Sequence, residues 1–368
     1  MREHLVEDAY TCASCGFCRF GCPVYREIGF EGASARGRMY LLKRVFEGKL
    51  GYTERVVDSF YMCAQCQNCK QLCPTGIDFG EDVAILKEMF VREGKLPSYL
   101  FPLRDNVIEK GNPFGKDAEE RGEWLPGKYQ TPEPSEYLYF AGCSASYAST
   151  RIAKSIVKIL DQIEFDFTVL GKEESCCGSP LERMGEITKA GELMEKNMEK
   201  FKELGVETVI VSCAGCLKTF THSYPKDFKV LHVTQLFDQL MREGRLEFQK
   251  ELDKKVVYFD GCDIGRHCGI YEEPRNILRS IPGVKLIEYE YSREDALCCG
   301  GPLASSQPDL AHKIASSRVR EAKELGAEII ATACPTCMVN LKEGAKLIQI
   351  EMEIQDIPML LPKFLKKG

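Results

Sequence analysis

Two stretches of the chain carry nearly the same five residues, Cys298-Cys299-Gly300-Gly301-Pro302 and Cys176-Cys177-Gly178-Ser179-Pro180. Two adjacent cysteines followed by glycine place two thiols at the tip of one turn. Glycine there allows the positive φ that such a turn requires, and this applies to Gly178, Gly300 and Gly301. We therefore expect these three glycines to lie against whatever the thiols bind.

Both cysteine pairs belong to a longer unit that also occurs twice. Each unit contains a lone cysteine, then the pair, then a C-x2-C motif, and matching cysteines are separated by a nearly constant offset. The first copy contains Cys143, Cys176, Cys177, Cys213 and Cys216, and the second contains Cys262, Cys298, Cys299, Cys334 and Cys337. The C-terminal two thirds of the chain is therefore an internal duplication that gathers five cysteines in each copy.

Short apolar runs alternate with helical patterns in both copies. We predict strands over 137–140, 165–170, 208–211, 256–259, 284–289 and 329–331, and helices over 147–163, 181–204 and 309–325. Apolar strands separated by helices are typical of a parallel sheet that is covered on both faces. Each cysteine motif follows a predicted strand, which is where open α/β sheets place their ligand sites.

A different cysteine pattern opens the chain and is also repeated. Both runs have the spacing C-x2-C-x2-C-x3-C-P, at Cys12, Cys15, Cys18 and Cys22 and at Cys63, Cys66, Cys69 and Cys73. Such runs are typical of two-cluster ferredoxins, in which the fourth cysteine ligates the other cluster. We assign one [4Fe-4S] cluster to Cys12, Cys15, Cys18 and Cys73, and the other to Cys63, Cys66, Cys69 and Cys22. Two zinc knuckles are the alternative.

The segments around these cysteines differ in their patterns. Residues 35–49 and 80–93 have helical periodicity, so we expect a mostly helical domain, with Arg36, Arg38, Lys43 and Arg44 off the apolar face of the first helix. Those cations form a solvated face, or they help to hold an iron–sulfur centre or an acidic partner. Residues 97–134 are rich in proline and glycine, so we expect a linker without regular elements that Trp124 and Phe114 hold in place.

Composition excludes several classes of function. The net charge of −6 argues against a nucleic-acid partner, and no apolar run is long enough to span a membrane. The 19 cysteines follow no segment of signal-peptide type, so metal ligation in a reducing compartment is favoured over disulfides. We expect a cytoplasmic protein, which a partner could hold at the inner face of the cell membrane.

A lone cysteine, Cys-Cys-Gly and C-x2-C together resemble the CCG domain. A two-cluster ferredoxin domain followed by two CCG domains resembles the fused D subunit of heterodisulfide reductases, and it is similar to the iron–sulfur subunits of glycolate and lactate dehydrogenases. The resemblance implies an α+β multidomain fold: a helical ferredoxin-type domain over 1–96, a linker over 97–136, and duplicated Rossmann-like, parallel-sheet CCG domains over 137–250 and 251–368. It also implies a noncubane [4Fe-4S] cluster on each set of five cysteines.

The activity implied by the resemblance is anaerobic reduction of a small disulfide, such as that of coenzyme M and coenzyme B, at the noncubane clusters. The two cubane clusters would supply the electrons. The alternative is a relay subunit of a flavin-dependent 2-hydroxyacid dehydrogenase or of a quinone-linked membrane complex. No dinucleotide fingerprint is present, so a flavoprotein or a membrane cytochrome b is the expected partner.

Two positions depart from the family pattern. The family commonly has histidine directly after the lone cysteine of the second CCG domain, and this chain has Asp263 there. His267 could replace that histidine as a proton donor or act as a hydrogen-bonding neighbour of the cluster. One cysteine, Cys268, remains outside the four ligand sets, and we expect it to be a small buried residue.

Overall fold

The computed structural model describes residues 2–366, and its N-terminal part is helical as expected. The helices there are α1 (Arg2–Thr11), α2 (Phe17–Gly21), α3 (Pro23–Ile28), α4 (Ala35–Phe46), α5 (Glu54–Tyr61), α6 (Asn68–Gln71) and α7 (Phe79–Arg92). Met39 and Leu42 of α4 are buried against Phe60 of α5 and Phe90 of α7 in one core. Arg38 is not on a solvated face, because it is buried and its Nε donates to Ser59 O at 2.6 Å.

The connecting segment is more ordered than its composition suggests. It forms α8 (Phe101–Lys110) and α9 (Ala118–Gly122). Proline and glycine lie at the ends of α8, where they favour a helix: Pro102 is in the first turn and Gly111 ends the helix with φ +65°. Trp124 is buried as expected, whereas Phe114 is 42% exposed.

The first copy contains a three-stranded parallel sheet of order β1-β2-β3. Its elements are β1 (Tyr137–Phe140), α10 (Thr150–Gln162), α11 (Ser179–Met184), α12 (Ile187–Glu203), β2 (Thr208–Val211), α13 (Ala214–His222), β3 (Lys229–His232) and α14 (Val233–Arg242). Val209 to Val211 and Leu138 to Phe140 are fully buried, as expected of strands that are covered on both faces.

The second copy contains a four-stranded parallel sheet of order β5-β4-β6-β7. Its elements are β4 (Lys254–Phe259), α15 (Glu272–Ser280), β5 (Val284–Ile287), α16 (Pro308–Glu324), β6 (Ile329–Thr332), α17 (Pro335–Leu347), β7 (Glu353–Asp356) and α18 (Ile357–Leu360). The chain is thus an α+β protein with a helical N-terminal part and two parallel sheets. The strands β3 and β7 were not predicted, because both are short and partly polar.

Two predicted elements differ in the structure. The strand expected over 165–170 is reduced to one bridge, between Leu138 and Thr168, and the chain has a positive φ on either side of this segment, at Glu164 (φ +51°) and Gly171 (φ +55°). The helix expected over 181–204 is broken at Gly185, where φ is +91°. A Cβ at Gly185 would lie 2.4 Å from Lys87 O, so this break lets the backbone of α7 approach the first copy.

Candidate metal centres and the cavity between them

The first four-cysteine group contains Cys12, Cys15, Cys18 and Cys73, as the ferredoxin spacing predicts. The structure brings Cys18 close enough to the other three that their negative charges add to burial in raising the pKa of Cys18. Cys73 comes from the second run of the sequence, so the exchange of the fourth cysteine is compatible with this geometry. Cys15 is exposed, unlike the other cysteines of residues 2–366.

The second four-cysteine group encloses a small void. Its thiols come from Cys22, Cys63, Cys66 and Cys69, and Arg38 forms part of the same wall. Backbone N–H groups point at two of the sulfurs, with Tyr25 N 3.5 Å from Cys22 Sγ and Gln65 N 3.4 Å from Cys63 Sγ. Amide donors to sulfur and a nearby guanidinium suit a thiolate-bound, anionic iron–sulfur cluster.

Each five-cysteine group also converges, at the carboxyl ends of the parallel strands. In the second group, Cys299 Sγ lies 3.4 Å from Cys337 Sγ, and Cys262 Sγ lies 4.0 Å from Cys298 Sγ. In the first group, hydrogen bonds from Cys176 and Cys216 lower the pKa of Cys177 to about 6. All 19 cysteines lie within residues 2–366, and each is a free thiol. The ten thiols therefore form two buried groups, whose role as cluster ligands stays a prediction.

The two Cys-Cys-Gly turns depend on glycine as expected, with one correction. Gly178 has φ +95° and Gly300 has φ +80°, a region that other residues rarely adopt. Gly301 has no positive φ. The backbone at this position lies close to the thiols, since a Cβ there would be 3.2 Å from Cys299 Sγ, although the matching position of the first copy is occupied by Ser179. The N–H groups of Gly300 and Gly301 each lie 3.3 Å from a sulfur of the pair, so all three glycines border the thiols.

One cavity of about 330 Å³ lies between the two five-cysteine groups. Thiols of both groups line it, from Cys143, Cys176, Cys177, Cys213 and Cys216 on one side and from Cys262, Cys334 and Cys337 on the other. Leu100, Leu103 and Phe114 of the connecting segment form part of the remaining wall. The duplication therefore creates a single shared chamber with a cysteine set on each side.

A buried ion pair lies in the wall of this chamber. Arg183 of α11 donates to both carboxylate oxygens of Asp263, at 2.8 and 2.7 Å, and its other terminal nitrogen lies 3.3 Å from Ala64 O. Burial opposes ionisation of Asp263, but the charges of Arg183, His267 and Lys218 hold its pKa well below the ordinary value. Asp263 is therefore an anion that joins the two copies, and Arg183 also ties them to the Cys63–Cys66 loop.

The opposite side of the chamber has no such pair. When the sequences of the two copies are aligned on their cysteine motifs, Ser144 matches Asp263 and Ser305 matches Arg183. Both serines line the same cavity, and Ser305 is exposed. The positions that form an ion pair on one side are thus occupied by two small serines on the other.

His267 lies behind the chamber wall and is not among its described lining residues. Its Nε2 lies 2.9 Å from Gln65 O, and burial lowers its pKa to about 4 although Asp263 favours the charged form. The imidazole therefore links the second copy to the ferredoxin loop. Its proton-donor role stays a prediction. The remaining cysteine, Cys268, is only half-buried and packs at the edge of the core.

Sequence patterns gave no indication of three cations at the site. Lys87 of α7 lines the chamber, donates to Arg183 O at 3.0 Å, and has a pKa lowered to about 7 by burial. Arg121 of α9 pairs with Glu174 and donates to Cys143 Sγ at 3.2 Å. Arg266 donates to Cys66 O at 2.7 Å. Each of these contacts joins elements that are distant in sequence, so spacing along the chain could not predict it.

The second four-cysteine group directly adjoins the second five-cysteine group. A hydrogen bond with Cys298 lowers the pKa of Cys66 to about 6 against the effect of burial. Beside this contact, Arg266 hydrogen-bonds to the carbonyl of Cys66, and His267 hydrogen-bonds to the carbonyl of Gln65. The ferredoxin-type part is therefore joined to the second copy through two ligand cysteines.

Comparisons with known proteins agree with this architecture. A family model of a 4Fe-4S dicluster domain matches residues 8–77, and one of a cysteine-rich domain, CCG, matches 137–221 and 256–342. The D subunit of the dihydromethanophenazine:CoB–CoM heterodisulfide reductase of Methanosarcina acetivorans is 32% identical, over 96% of this chain and 93% of that protein. The chain belongs to the family of heterodisulfide reductase D subunits.

Other similar proteins include one that is named for a different activity. The EtfAB:quinone oxidoreductase of Syntrophomonas wolfei is 29% identical over 80% of this chain, which matches 44% of that longer protein. A solved structure of a hypothetical protein from Helicobacter pylori aligns with a TM-score of 0.60 at 12% identity, covering 90% of this chain and 68% of that one. The structural likeness supports the fold alone.

The four cysteine groups of the chain agree with its membership of the heterodisulfide reductase family. The chain is an iron–sulfur oxidoreductase that carries [4Fe-4S] clusters on its cysteine motifs. Within residues 2–366, no helix is long and apolar enough to cross a membrane.

Proposed function

We propose that this protein reduces a small disulfide, such as that of coenzyme M and coenzyme B, inside the chamber between the two five-cysteine groups. The observation that carries the proposal is the single cavity lined by thiols of both groups. A disulfide has two sulfur atoms, and this chamber has a cysteine set on each side of it. Reduction takes two electrons and two protons and releases two thiols.

The proposed clusters are two cubane [4Fe-4S] centres on the four-cysteine groups and two noncubane [4Fe-4S] centres on the five-cysteine groups. Such clusters supply one-electron transfer and iron sites that accept sulfur ligands. The contact between Cys66 and Cys298 supports transfer from the second four-cysteine group to the second copy. The exposed Cys15 supports the arrival of electrons at the first four-cysteine group.

The chain's own groups prepare the chamber for anionic products. The Lys87 amino group, whose pKa burial lowers to about 7, lies in the wall with two carbonyl acceptors, Gln65 Oε1 and Arg183 O, and with no described carboxylate partner. Its protonated form would stabilise a nearby thiolate more strongly than an exposed cation would, because the local dielectric is low. Arg183 and Asp263 compensate each other and so keep the wall rigid.

The experiment that tests this proposal is anaerobic reduction of the heterodisulfide by the isolated protein with reduced viologen as the electron donor. Cys299→Ser should abolish turnover and leave the paramagnetic signals of the cubane clusters intact. Cys268→Ser is the matched control, because Cys268 lies outside the four ligand groups, and it should retain activity. An active Cys299→Ser protein, or a wild-type protein that carries about sixteen irons but does not reduce the disulfide, would contradict the proposal.

A relay without disulfide chemistry is the second candidate. It is favoured by the likeness to a protein named EtfAB:quinone oxidoreductase and by the Arg183–Asp263 pair, which occupies the position where the family commonly places histidine. In that case the isolated protein would pass electrons from viologen to a quinone analogue and leave the disulfide unreduced. Measuring both acceptors with one preparation separates the two functions.

We also propose that a partner redox protein, a flavoprotein or a membrane cytochrome b, docks around Cys15. Six of the thirteen exposed large hydrophobic side chains of the described residues lie within residues 10–40, the part of the sequence that contains Cys15: Tyr10, Phe17, Phe20, Ile28, Phe30 and Tyr40. Residues 14–46 contain five lysines and arginines that are not buried, in addition to the buried Arg38, and only two glutamates, within a chain of net charge −6. An aromatic patch with a basic rim fits a partner with an acidic rim. The nineteen free thiols favour a cytoplasmic location.

A reduced acidic ferredoxin can serve as the probe for this surface. Charge reversal in Arg26→Glu/Lys43→Glu should slow cluster reduction by the ferredoxin about tenfold at low salt. Reduction by dithionite, a small reagent that needs no docking surface, should not change. The control is Lys158→Glu/Lys196→Glu, which makes the same charge change at exposed positions of α10 and α12. Equal slowing in both double variants would exclude the surface around Cys15.

A further inference from the structure

Three potential metal ligands meet between α1 and α7, away from all of the cysteine groups. His4 Nε2 lies 3.7 Å from Asp8 Oδ2 and 3.7 Å from Asp82 Oδ1. His4 is 43% exposed, Asp8 is 15% exposed and Asp82 is fully buried. The ligand atoms all lie within 4.8 Å of one another, and the cluster has an open side at His4.

Asp82 makes this cluster unusual. Both of its carboxylate oxygens are buried, and neither has a hydrogen-bond partner among the described residues. Leaving such a group buried without a partner is strongly unfavourable when it is charged, so buried carboxylates are normally paired, protonated or bound to a cation. The side chain of Asp82 points at His4, the side chain that closes the cluster toward solvent.

The surrounding charge favours a cation. Burial, together with the neighbouring carboxylates of Asp8, Asp78 and Glu81, raises the pKa of Asp82 to about 8. Lys70 pairs with Asp78 at 2.8 Å and makes no ion pair with Asp82 among the described residues. Within the described part of the chain, His4 is therefore the ion-pair partner that Asp82 has, and a bound cation would relieve the repulsion among these carboxylates.

We propose that His4, Asp8 and Asp82 bind a divalent first-row transition-metal ion. One imidazole nitrogen and two carboxylate oxygens form a three-ligand set of the kind that Zn²⁺ accepts, with solvent completing the coordination. Bonds of about 2.0 to 2.2 Å place neighbouring ligand atoms a little more than 3 Å apart. The two distances to His4 Nε2 therefore need to close by only about half an ångström, which the exposed His4 side chain can supply, and the two carboxylates, which lie within 4.8 Å of each other, need to close by up to about 1.5 Å.

The position of the ion gives it a consequence for the iron–sulfur part. The helix α1 ends at Thr11, next to Cys12, and α7 follows Cys73 in the chain. Cys12 and Cys73 both belong to the first four-cysteine group. An ion bound between α1 and α7 would therefore fasten together the two chain segments that bring these cysteines to one cluster.

The test uses the complete protein with its clusters, kept anaerobic, and Mn²⁺ as the probe. The room-temperature paramagnetic signal of free Mn²⁺ should fall until one ion is bound per chain, and added Zn²⁺ should displace it. Asp82→Asn and His4→Ala should each weaken Mn²⁺ binding at least tenfold, whereas Glu7→Gln, an exposed carboxylate on α1, should leave it unchanged.

A second measurement keeps the test valid if Asp82→Asn folds poorly. Zn²⁺ should raise the thermal midpoint of the parent protein and of Glu7→Gln, and it should have no effect on His4→Ala, whose altered side chain is exposed. The proposal is overturned if the parent binds neither ion. It is equally overturned if His4→Ala binds Mn²⁺ as tightly as the parent, or if Glu7→Gln weakens binding as much as His4→Ala does.

Discussion

The two copies of the five-cysteine unit differ most where they face each other across the shared chamber. Their Cys-Cys-Gly turns and strand ends are alike, but Asp263 and Arg183 form a buried pair on one side and their counterparts Ser144 and Ser305 do not. The paired side is also the side that Ala64 O and Lys87 of the ferredoxin-type part cover. Divergence of the duplicate has therefore placed an ion pair at one pair of positions in the chamber wall and two small side chains at the matching pair.

The immediate neighbours of the two cysteine sets differ as well. In the second copy, Cys298 contacts Cys66 of a four-cysteine group, whereas Cys143 of the first copy receives a hydrogen bond from Arg121 of the connecting segment. The second copy thus contacts the proposed source of electrons through a cysteine, and the first has a buried cation hydrogen-bonded to one of its thiols. The duplicated sets are equal in ligands but unequal in surroundings, which is a basis for different roles.

The largest effect is expected from breaking the Arg183–Asp263 ion pair. Arg183→Met leaves Asp263 buried without its partner, and removing one member of a buried pair typically destabilises a protein by about 3 to 5 kcal/mol. The anaerobic thermal midpoint of the cluster-loaded protein measures the loss. Ser305→Met makes a comparable change at the matching position, where no ion pair is lost, and should shift the midpoint little. Similar shifts in the two variants would show that the pair does not hold the copies together.

The next effect tests whether the serine side gives access to the chamber. Ser144→Asp/Ser305→Arg reproduces the ion pair on the opposite side, so it should close the cavity and reduce disulfide turnover roughly 100-fold by displacing the substrate. Iron content should stay unchanged, which separates closure from cluster loss. Ser144→Ala/Ser305→Ala keeps the side open and should stay active. Full activity in the Asp/Arg variant would mean that substrate reaches the cysteines by another route.

Sequence patterns were sufficient for features that depend on local spacing. The cysteine runs, the glycine turns and the parallel strands before Cys213 and Cys334 follow from residues that are close together in the chain, and the structure contains them. The wall of the chamber could not be predicted, because Lys87, Arg121 and Arg183 come from elements that meet only in the packed fold. The burial of Arg38 was missed for the same reason, since its carbonyl acceptor lies on α5.

The smallest expected effect concerns the cation that hydrogen-bonds to a thiol of the first copy. Arg121 is buried, pairs with Glu174 and donates to Cys143 Sγ, while Arg275 of the second copy is equally buried, pairs with Asp260 and contacts no cysteine among the described residues. Both Arg121→Met and Arg275→Met break a buried ion pair, so both should lower the thermal midpoint. Because both variants lose a buried ion pair, a difference between them in cluster stability can be attributed to the hydrogen bond from Arg121 to Cys143.

Only Arg121→Met should also weaken cluster binding, because groups that hydrogen-bond to a metal ligand typically contribute 10- to 100-fold to metal affinity. Exposure to a chelator should therefore release about four of the roughly sixteen irons faster from Arg121→Met than from Arg275→Met. Equal release would assign Arg121 a purely structural role in holding the connecting segment. Faster release confined to Arg121→Met would show that the two cysteine sets are tuned separately, the first through sulfur hydrogen bonding by a cation that the connecting segment supplies.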